Sequence, residues 1–259
     1  MNDAQRYVRS PMTEHASPFW KSTDNALQYD EYARTTFARI YPVIADQILE
    51  RTGITSGMCL DVGSGPAPLA IALALLSDLR VVALDSSPGM FSLAQKNIRE
   101  RCVEDRVIPV SGDVHAIPAA DGSFHLVVSR GSYHFWRDLP VAFREIYRVL
   151  RPDGAAYIGG GYGSARIRDE VLAGRAERGI VDDADHPVRD RFRKFRPGEI
   201  EAAIGDAGIR NYRIIHDDSG FWILIHKNGD ELPGCSPDPQ QAAVPYNRAV
   251  FENGFFTTR

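Results

Sequence analysis

Through the middle of the chain, short apolar runs alternate with longer stretches of helical period. Apolar runs predict strands over residues 58–62, 80–85, 106–110, 124–130 and 155–160, and helices over 67–77, 88–102 and 139–150. Val81-Val82-Ala83-Leu84 is apolar at every position, as expected of a strand covered on both faces. Strands and helices in strict alternation imply a parallel sheet with helices on either side. Upstream, residues 26–51 carry a helical stripe of Leu27, Phe37, Ile40, Val43, Ile44 and Ile48. Pro42 is expected to divide this stretch into two helices, because it removes a helical N–H and clashes with the preceding turn.

The end of the pattern decides the architecture. Residues 212–216 and 221–225 read as strands separated only by Asp217-Asp218-Ser219-Gly220. A connection that short cannot hold a parallel crossover, so the pair must be an antiparallel hairpin. The expectation is an α/β protein, Rossmann-like and doubly wound, with a mostly parallel seven-stranded sheet ending in that hairpin. Residues 1–55 read as an irregular arm (1–25) followed by cap helices, 56–227 as the core, and 228–259 as an extended, proline-bearing tail. Within the core, residues 161–196 break the rhythm and read as a helical or irregular lid insertion. Glu199 to Ala207 reads as one further helix, and Phe251, Phe255 and Phe256 could anchor the tail across a subunit contact in a homodimer.

Composition narrows the class. The chain has 259 residues, 44% hydrophobic and 25% charged, an ordinary globular balance. A formal net charge of −4 gives no general attraction to nucleic acid or to an anionic membrane. No apolar run approaches the roughly 20 residues of a spanning helix. Residues 1–10 are polar and lack the apolar core of a signal peptide. Three cysteines, at 59, 102 and 235, have no metal-binding spacing and suggest free thiols in a cytoplasmic protein.

The chemistry concentrates after the first strand. Asp61-Val62-Gly63-Ser64-Gly65-Pro66-Ala67 is a glycine-rich turn leading into an apolar helix, where backbone N–H groups can approach a ligand closely. Asp85 ends the next strand, at the spacing from which an acid accepts hydrogen bonds from a ribose. An adenosine-containing cofactor follows. Pro66 and Pro68 make the turn stiff and remove the third glycine of the dinucleotide fingerprint, and no Lys-Ser or Lys-Thr follows to make a phosphate-binding loop.

These segments resemble the class I S-adenosylmethionine-dependent methyltransferases. Asp61 to Ala67 matches the family's first motif, with Ala67 in place of its last glycine, and Asp85 matches the ribose-binding acid. Ser111-Gly112-Asp113-Val114 resembles the adenine-contacting segment, and Phe124 to Gly131 the fourth strand and its end. Phe143 to Gly154 resembles the helix and turn leading into strand five, ending Pro-Asp-Gly rather than Pro-Gly-Gly. The resemblance implies S-adenosyl-L-methionine as cofactor. It implies binding by Asp61, Gly63, Ser64, Gly65, Asp85, Ser86, Met90, Gly112, Asp113, Val114 and Ser129, with Tyr29 on the helix that closes over the methionine half.

Each residue has a plainer alternative. Asp85 could cap the helix that follows it, Asp113 could be a turn former, and Tyr29 and Tyr32 could be an aromatic stripe packing their helix. His134 is the general-base candidate, with Tyr133 beside it, because an imidazole titrates near neutrality. Arg130 could receive an anionic group, as could Arg191 within the basic run from Arg189 to Arg196, while Tyr32 could face the acceptor. That run could equally be a solvated surface balanced by Asp182, Asp183, Asp185 and Asp190. No spacing defines a metal site. The expected activity is methyl transfer to a small molecule. The rivals are an RNA or protein methyltransferase, and a protein that binds the cofactor without transferring from it.

Overall fold

The computed structural model describes residues 23–177 and 197–227. In chain order the elements are α1 (Thr23–Thr35), α2 (Ile40–Thr52), β1 (Ser56–Val62), α3 (Pro68–Leu76), β2 (Asp78–Asp85), α4 (Pro88–Glu100), β3 (Val107–Ser111) and β4 (Phe124–Arg130). A 3-10 turn (Tyr133–Phe135) then precedes α5 (Leu139–Val149), β5 (Leu150–Gly160), α6 (Ala165–Glu177), α7 (Pro197–Asp206), β6 (Tyr212–Asp217) and β7 (Gly220–His226).

The seven strands form one sheet in the order β3-β2-β1-β4-β5-β7-β6. Strands β1 to β5 pair in parallel, whereas β7 is antiparallel to both β5 and β6. The hairpin is as expected, and its turn is only Asp218-Ser219. Strand order reverses between β1 and β4, so the crevice beyond their carboxyl ends is where a fold of this kind takes its ligand.

Alternate residues of each strand feed two separate cores. Cys59, Val81, Ala83, Leu126, Val128, Ala155 and Tyr157 pack with α2, α3, α4 and α6. Leu60, Val62, Val82, Leu84, Val127, Ala156 and Ile158 pack with α5 and α7 on the opposite face. Because the period is two, Asp61 faces the side of Cys59, toward α2 and α3.

Three expectations shift. The first helical stretch breaks at residues 36–39 rather than at Pro42. Pro42 lies in the first turn of α2, where its missing N–H costs nothing because no carbonyl is available to accept it. The helical stretch also begins earlier, so residues 23–25 belong to α1 rather than to an arm. Finally, β5 begins at Leu150 and contains a register shift. Leu150 pairs with Phe124 and Ala155 with Leu126, and the residues between bulge outward. Gly154 permits this, since a Cβ there would lie 2.9 Å from the His125 carbonyl.

The described half of the insertion is helical and packs on the cap. Ile167 and Val171 of α6 are buried, Gln47 Nε2 donates to the Gly163 carbonyl, and Arg39 pairs with Glu170 at 2.9 Å. Residues 1–22, 178–196 and 228–259 lie outside the described residues. With them lie Arg191 and its basic run, the acidic residues Asp182, Asp183, Asp185 and Asp190, Cys235 and the tail phenylalanines. Among the described residues no helix is long and apolar enough to cross a membrane.

Candidate active site

The glycine turn wraps over the end of β2. The N–H groups of Gly63 and Ser64 both donate to the Leu84 carbonyl, at 2.8 and 3.0 Å, and Gly65 N donates to Asp85 Oδ2 at 2.8 Å. Gly63 and Gly65 have φ of +67° and +56°, the left-handed region that glycine enters without steric cost. Ala67 stands at φ +65° where the family pattern has its last glycine, so it adopts the glycine conformation at a cost of about 1–2 kcal/mol. Pro68 then opens α3.

Asp85 braces this turn. Its Oδ1 accepts from Ser87 N at 2.8 Å, while the cap of α4 is Ser87 itself, whose Oγ accepts from Met90 N. Burial pushes the Asp85 carboxyl up, and the N–H groups of Ser87, Gly65 and Ser86 oppose the rise. Across the turn, Asp61 is 2% exposed and its Oδ2 has no hydrogen-bond partner among the described residues. Burial pushes its carboxyl up to about 7, against the Ala70 N–H and with help from the charge of Asp85. The buried Ser64 Oγ also lacks a partner among the described residues.

The cap closes over these groups. A Cβ built on Gly65 would lie 3.5 Å from the Tyr29 ring and 4.0 Å from Met90 Sδ, so both side chains overhang the turn. Asn97 holds the arrangement: its Nδ2 donates to Asp30 Oδ1 at 2.7 Å and to the Pro66 carbonyl at 3.0 Å, tying α1, α4 and the turn together.

Along the sheet edge, Gly112 N donates to the Asp85 carbonyl, and a Cβ on Gly112 would meet Leu84 at 2.7 Å. Val114 is buried in the cluster containing Leu84. The Asp113 carboxylate is occupied by protein groups, accepting from His115 N, the His115 ring and Arg137 Nη1. Burial alone would raise its carboxyl, but the His115 and Arg137 contacts hold it well below the usual carboxylate range. The turn-forming role weighed for Asp113 is therefore present, whatever else the segment contacts.

At the end of β4, Ser132 locks the following loop to the glycine turn. Ser129 and Ser132 share a hydrogen bond of 2.6 Å, Ser132 Oγ donates to the Val62 carbonyl, and Trp136 Nε1 donates to Ser132 Oγ. A Cβ on Gly63 would come within 2.4 Å of Ser132 Cβ, which is why that position has none. Tyr133 is buried in the apolar cluster and burial pushes its phenol up to about 12, so it keeps its proton at neutral pH. The His134 ring stacks on Tyr133 with centroids 3.8 Å apart. Arg130 stacks on Phe37 and Tyr41, and Tyr32 meets Phe37 edge-on.

Ser132, Asn97 with Asp30, and Tyr41 are absent from the sequence-based candidates. Asn97 left a readable signal: a polar residue on the stripe of Met90, Leu93, Ala94 and Ile98 must find buried partners. Ser132 left none, since a loop serine gains its role only from a turn that lies 70 residues away.

Comparison with known proteins agrees with this geometry. Residues 60–158 match a family described as a methyltransferase domain. A solved structure from Methanococcus maripaludis, assigned as an S-adenosyl-L-methionine-dependent methyltransferase, is 42% identical; the match covers 86% of this chain and all of that one, with a TM-score of 0.74. A malonyl-[acyl-carrier protein] O-methyltransferase from Geobacter sulfurreducens is 28% identical over 194 residues, 74% of this chain and 70% of that protein. A demethylmenaquinone methyltransferase from Chlorobaculum parvum is 33% identical over 99 residues, covering 38% of this chain and 39% of that protein. The chain belongs to the class I S-adenosylmethionine-dependent methyltransferases. Its cofactor is S-adenosylmethionine.

Proposed function

We propose that this enzyme transfers the methyl group to a small-molecule acceptor, with the donor held at the carboxyl ends of β1, β2 and β4. The observation that carries the site is the buried Asp61 Oδ2, an acceptor without a partner among the described residues, beside a turn whose Gly63 and Gly65 carry no side chain. A cationic ammonium is the group such an oxygen suits, and a methionine moiety supplies one. On this reading Asp61, Ser64 and Tyr29 hold the methionine half. Asp85 and Ser86 take the ribose through the lone pairs that Gly65 and Ser87 leave open, and Met90, Gly112 and Val114 flank the adenine. Asp113 acts indirectly, by fixing the backbone of that segment through His115 and Arg137.

The bound cofactor supplies a sulfonium methyl that is already activated for displacement. What remains for the protein is alignment and exclusion of water. Helices α1, α2 and α6 form the cover under which an acceptor would lie, and His134 at the β4 end is the group assigned to take a proton where the acceptor loses one. The relatives named for malonyl-[acyl-carrier protein] and demethylmenaquinone favour a small acceptor over nucleic acid, as does the net charge of −4. The buried free thiol of Cys59 suits a cytoplasmic setting.

The test is incubation with methyl-labelled S-adenosylmethionine and a metabolite extract, with RNA and protein fractions in parallel. Label in a low-mass product is expected. Label confined to RNA or protein, or no turnover at all, would overturn the acceptor class.

A further inference from the structure

Arg130 ends β4 as a half-buried guanidinium that forms no ion pair among the described residues. Its Nη2 donates to the neutral Gly161 carbonyl at 3.0 Å, and its Nε is buried without an acceptor. Aromatic faces hold the plane in place, with Cζ 5.0 Å from the Phe37 ring centre and 5.4 Å from that of Tyr41. Such stacking fixes the orientation of the guanidinium but supplies no counter-charge. A buried N–H left without an acceptor is destabilising, and more so when it carries charge.

A second orphan lies beside it. Tyr41 is 4% exposed and its hydroxyl, which faces Tyr29, Asp61 and Arg130, makes no hydrogen bond of adequate geometry among the described residues. Burial raises this phenol well above its ordinary range, so it remains a donor at neutral pH. Arg130 Nε–H and the Tyr41 hydroxyl are thus neighbouring donors, each without an aligned acceptor among the described residues, with the guanidinium lying over the Tyr41 ring. Among the described residues Asp61 lies nearby but is not paired with Arg130, and it has its own unfilled oxygen.

We propose that Arg130 and Tyr41 form a carboxylate-binding site for the methyl acceptor, which is therefore an organic acid. This rests on the methyltransferase reading and sharpens it. Tyr41 borders Tyr29 and Asp61 of the methionine half, and Arg130 extends the site away from it. Tyr29 already overhangs Gly65 on the donor side, whereas Arg130 is bonded to the chain leaving β5 and stacks on Phe37, which meets Tyr32 and Tyr162. Those rings give the site an apolar wall, so an aromatic or aliphatic body with a terminal carboxylate fits its chemistry. The planar guanidinium recognises the two carboxylate oxygens together, which a lysine cannot do.

The test is side-chain NMR on the full chain saturated with S-adenosylhomocysteine. The Arg130 Nε–H signal, identified by its loss in Arg130→Lys, is followed during titration with phenylacetate and, separately, with the uncharged phenylacetamide. A saturable downfield shift with phenylacetate alone is expected, with phenylacetate affinity about tenfold or more weaker in Arg130→Lys. Tyr41→Phe, which keeps the ring and removes one hydroxyl, should weaken it by about two- to tenfold. No shift, or the same shift with the amide, would overturn the proposal. A shift completed by S-adenosylhomocysteine itself, with phenylacetate adding nothing, would assign the arginine to the cofactor's carboxylate and also overturn it. Calorimetry with S-adenosylhomocysteine reports separately on the parent reading, and if no heat appears there the same titration on the free protein still reads the carboxylate site.

Discussion

Gly65 N donates to Asp85 Oδ2 at 2.8 Å, so the glycine turn after β1 and the carboxyl end of β2 are held as one unit. With Oδ1 committed to Ser87 N, a single carboxylate fixes both loops that border the proposed ribose position. Asp85→Ala should therefore do two things. Binding of S-adenosylhomocysteine should weaken by about 1.5–3 kcal/mol, the value of hydrogen bonds to a charged acceptor. Thermal stability should also fall, because two N–H groups lose their partner. Asp85→Asn retains one acceptor oxygen and should recover part of the stability without recovering the affinity. Calorimetry and thermal unfolding of both variants check this, and unchanged affinity in folded Asp85→Ala would contradict it.

Asp61 carries a pH signature. Its folded-state pKa, about 7, lies above the ordinary 3.8, so between these values the folded protein binds a proton that the unfolded chain has released. Stability from this group is thus present below about pH 4 and declines as pH rises to about 7, by a few kcal/mol at most. Urea unfolding should show that slope reduced in Asp61→Asn, with the variant gaining on the wild type at pH 8. Because an ammonium beside Asp61 favours the ionised form, cofactor affinity should weaken below pH 7 by up to about tenfold per pH unit. Equal slopes in the two proteins would show that Asp61 does not titrate in this range.

Gly63 and Ser132 are coupled by space. Gly63→Ala places a Cβ 2.4 Å from Ser132 Cβ at φ +67°, combining a clash with backbone strain, and should cost about 2–4 kcal/mol. Ser132→Gly removes the obstructing atom. Combined in one protein, the two substitutions should cost less than the sum of the singles, leaving chiefly the strain and the lost Ser132 hydrogen bonds. Strict additivity in denaturant unfolding would mean that the loop after β4 does not press on the turn.

The parallel core, the hairpin and the glycine turn were legible in the sequence because each depends on local pattern: alternation of apolar runs, a turn too short for a crossover, glycines before a helix. Pro42 misled because a proline in a first turn and a proline in a helix interior look alike until the true helix start is known. The bulge after Leu150 was hidden in Arg-Pro-Asp-Gly, which reads as a simple turn before a strand. Asp61 and Asp85 stood out in the sequence as candidate cofactor ligands, but nothing there showed that Asp85 accepts hydrogen bonds from the protein's own backbone at Gly65 and Ser87. Tyr41 and Arg130 are 89 positions apart, and only the cap packed across β4 brings them together.

Asn97 ties the cap to the turn through Asp30 and Pro66, and all three partners are inaccessible or nearly so. Asn97→Ala leaves the buried Asp30 without that donor and should destabilise the protein by about 2–4 kcal/mol. Hydrogen exchange should locate the loss in residues 26–37, with β4 and β5 unaffected. Uniform acceleration across the whole sheet would mean that α1 is integral to the core rather than a cap upon it.

The most direct measurement is a crystal structure of the complex with S-adenosylhomocysteine. The ammonium is expected at Asp61 Oδ2, the ribose hydroxyls at Asp85 and the adenine against Gly112 and Val114, with Tyr29 over the methionine half. A ligand seated elsewhere, or one that leaves Asp61 Oδ2 without a partner, would contradict it.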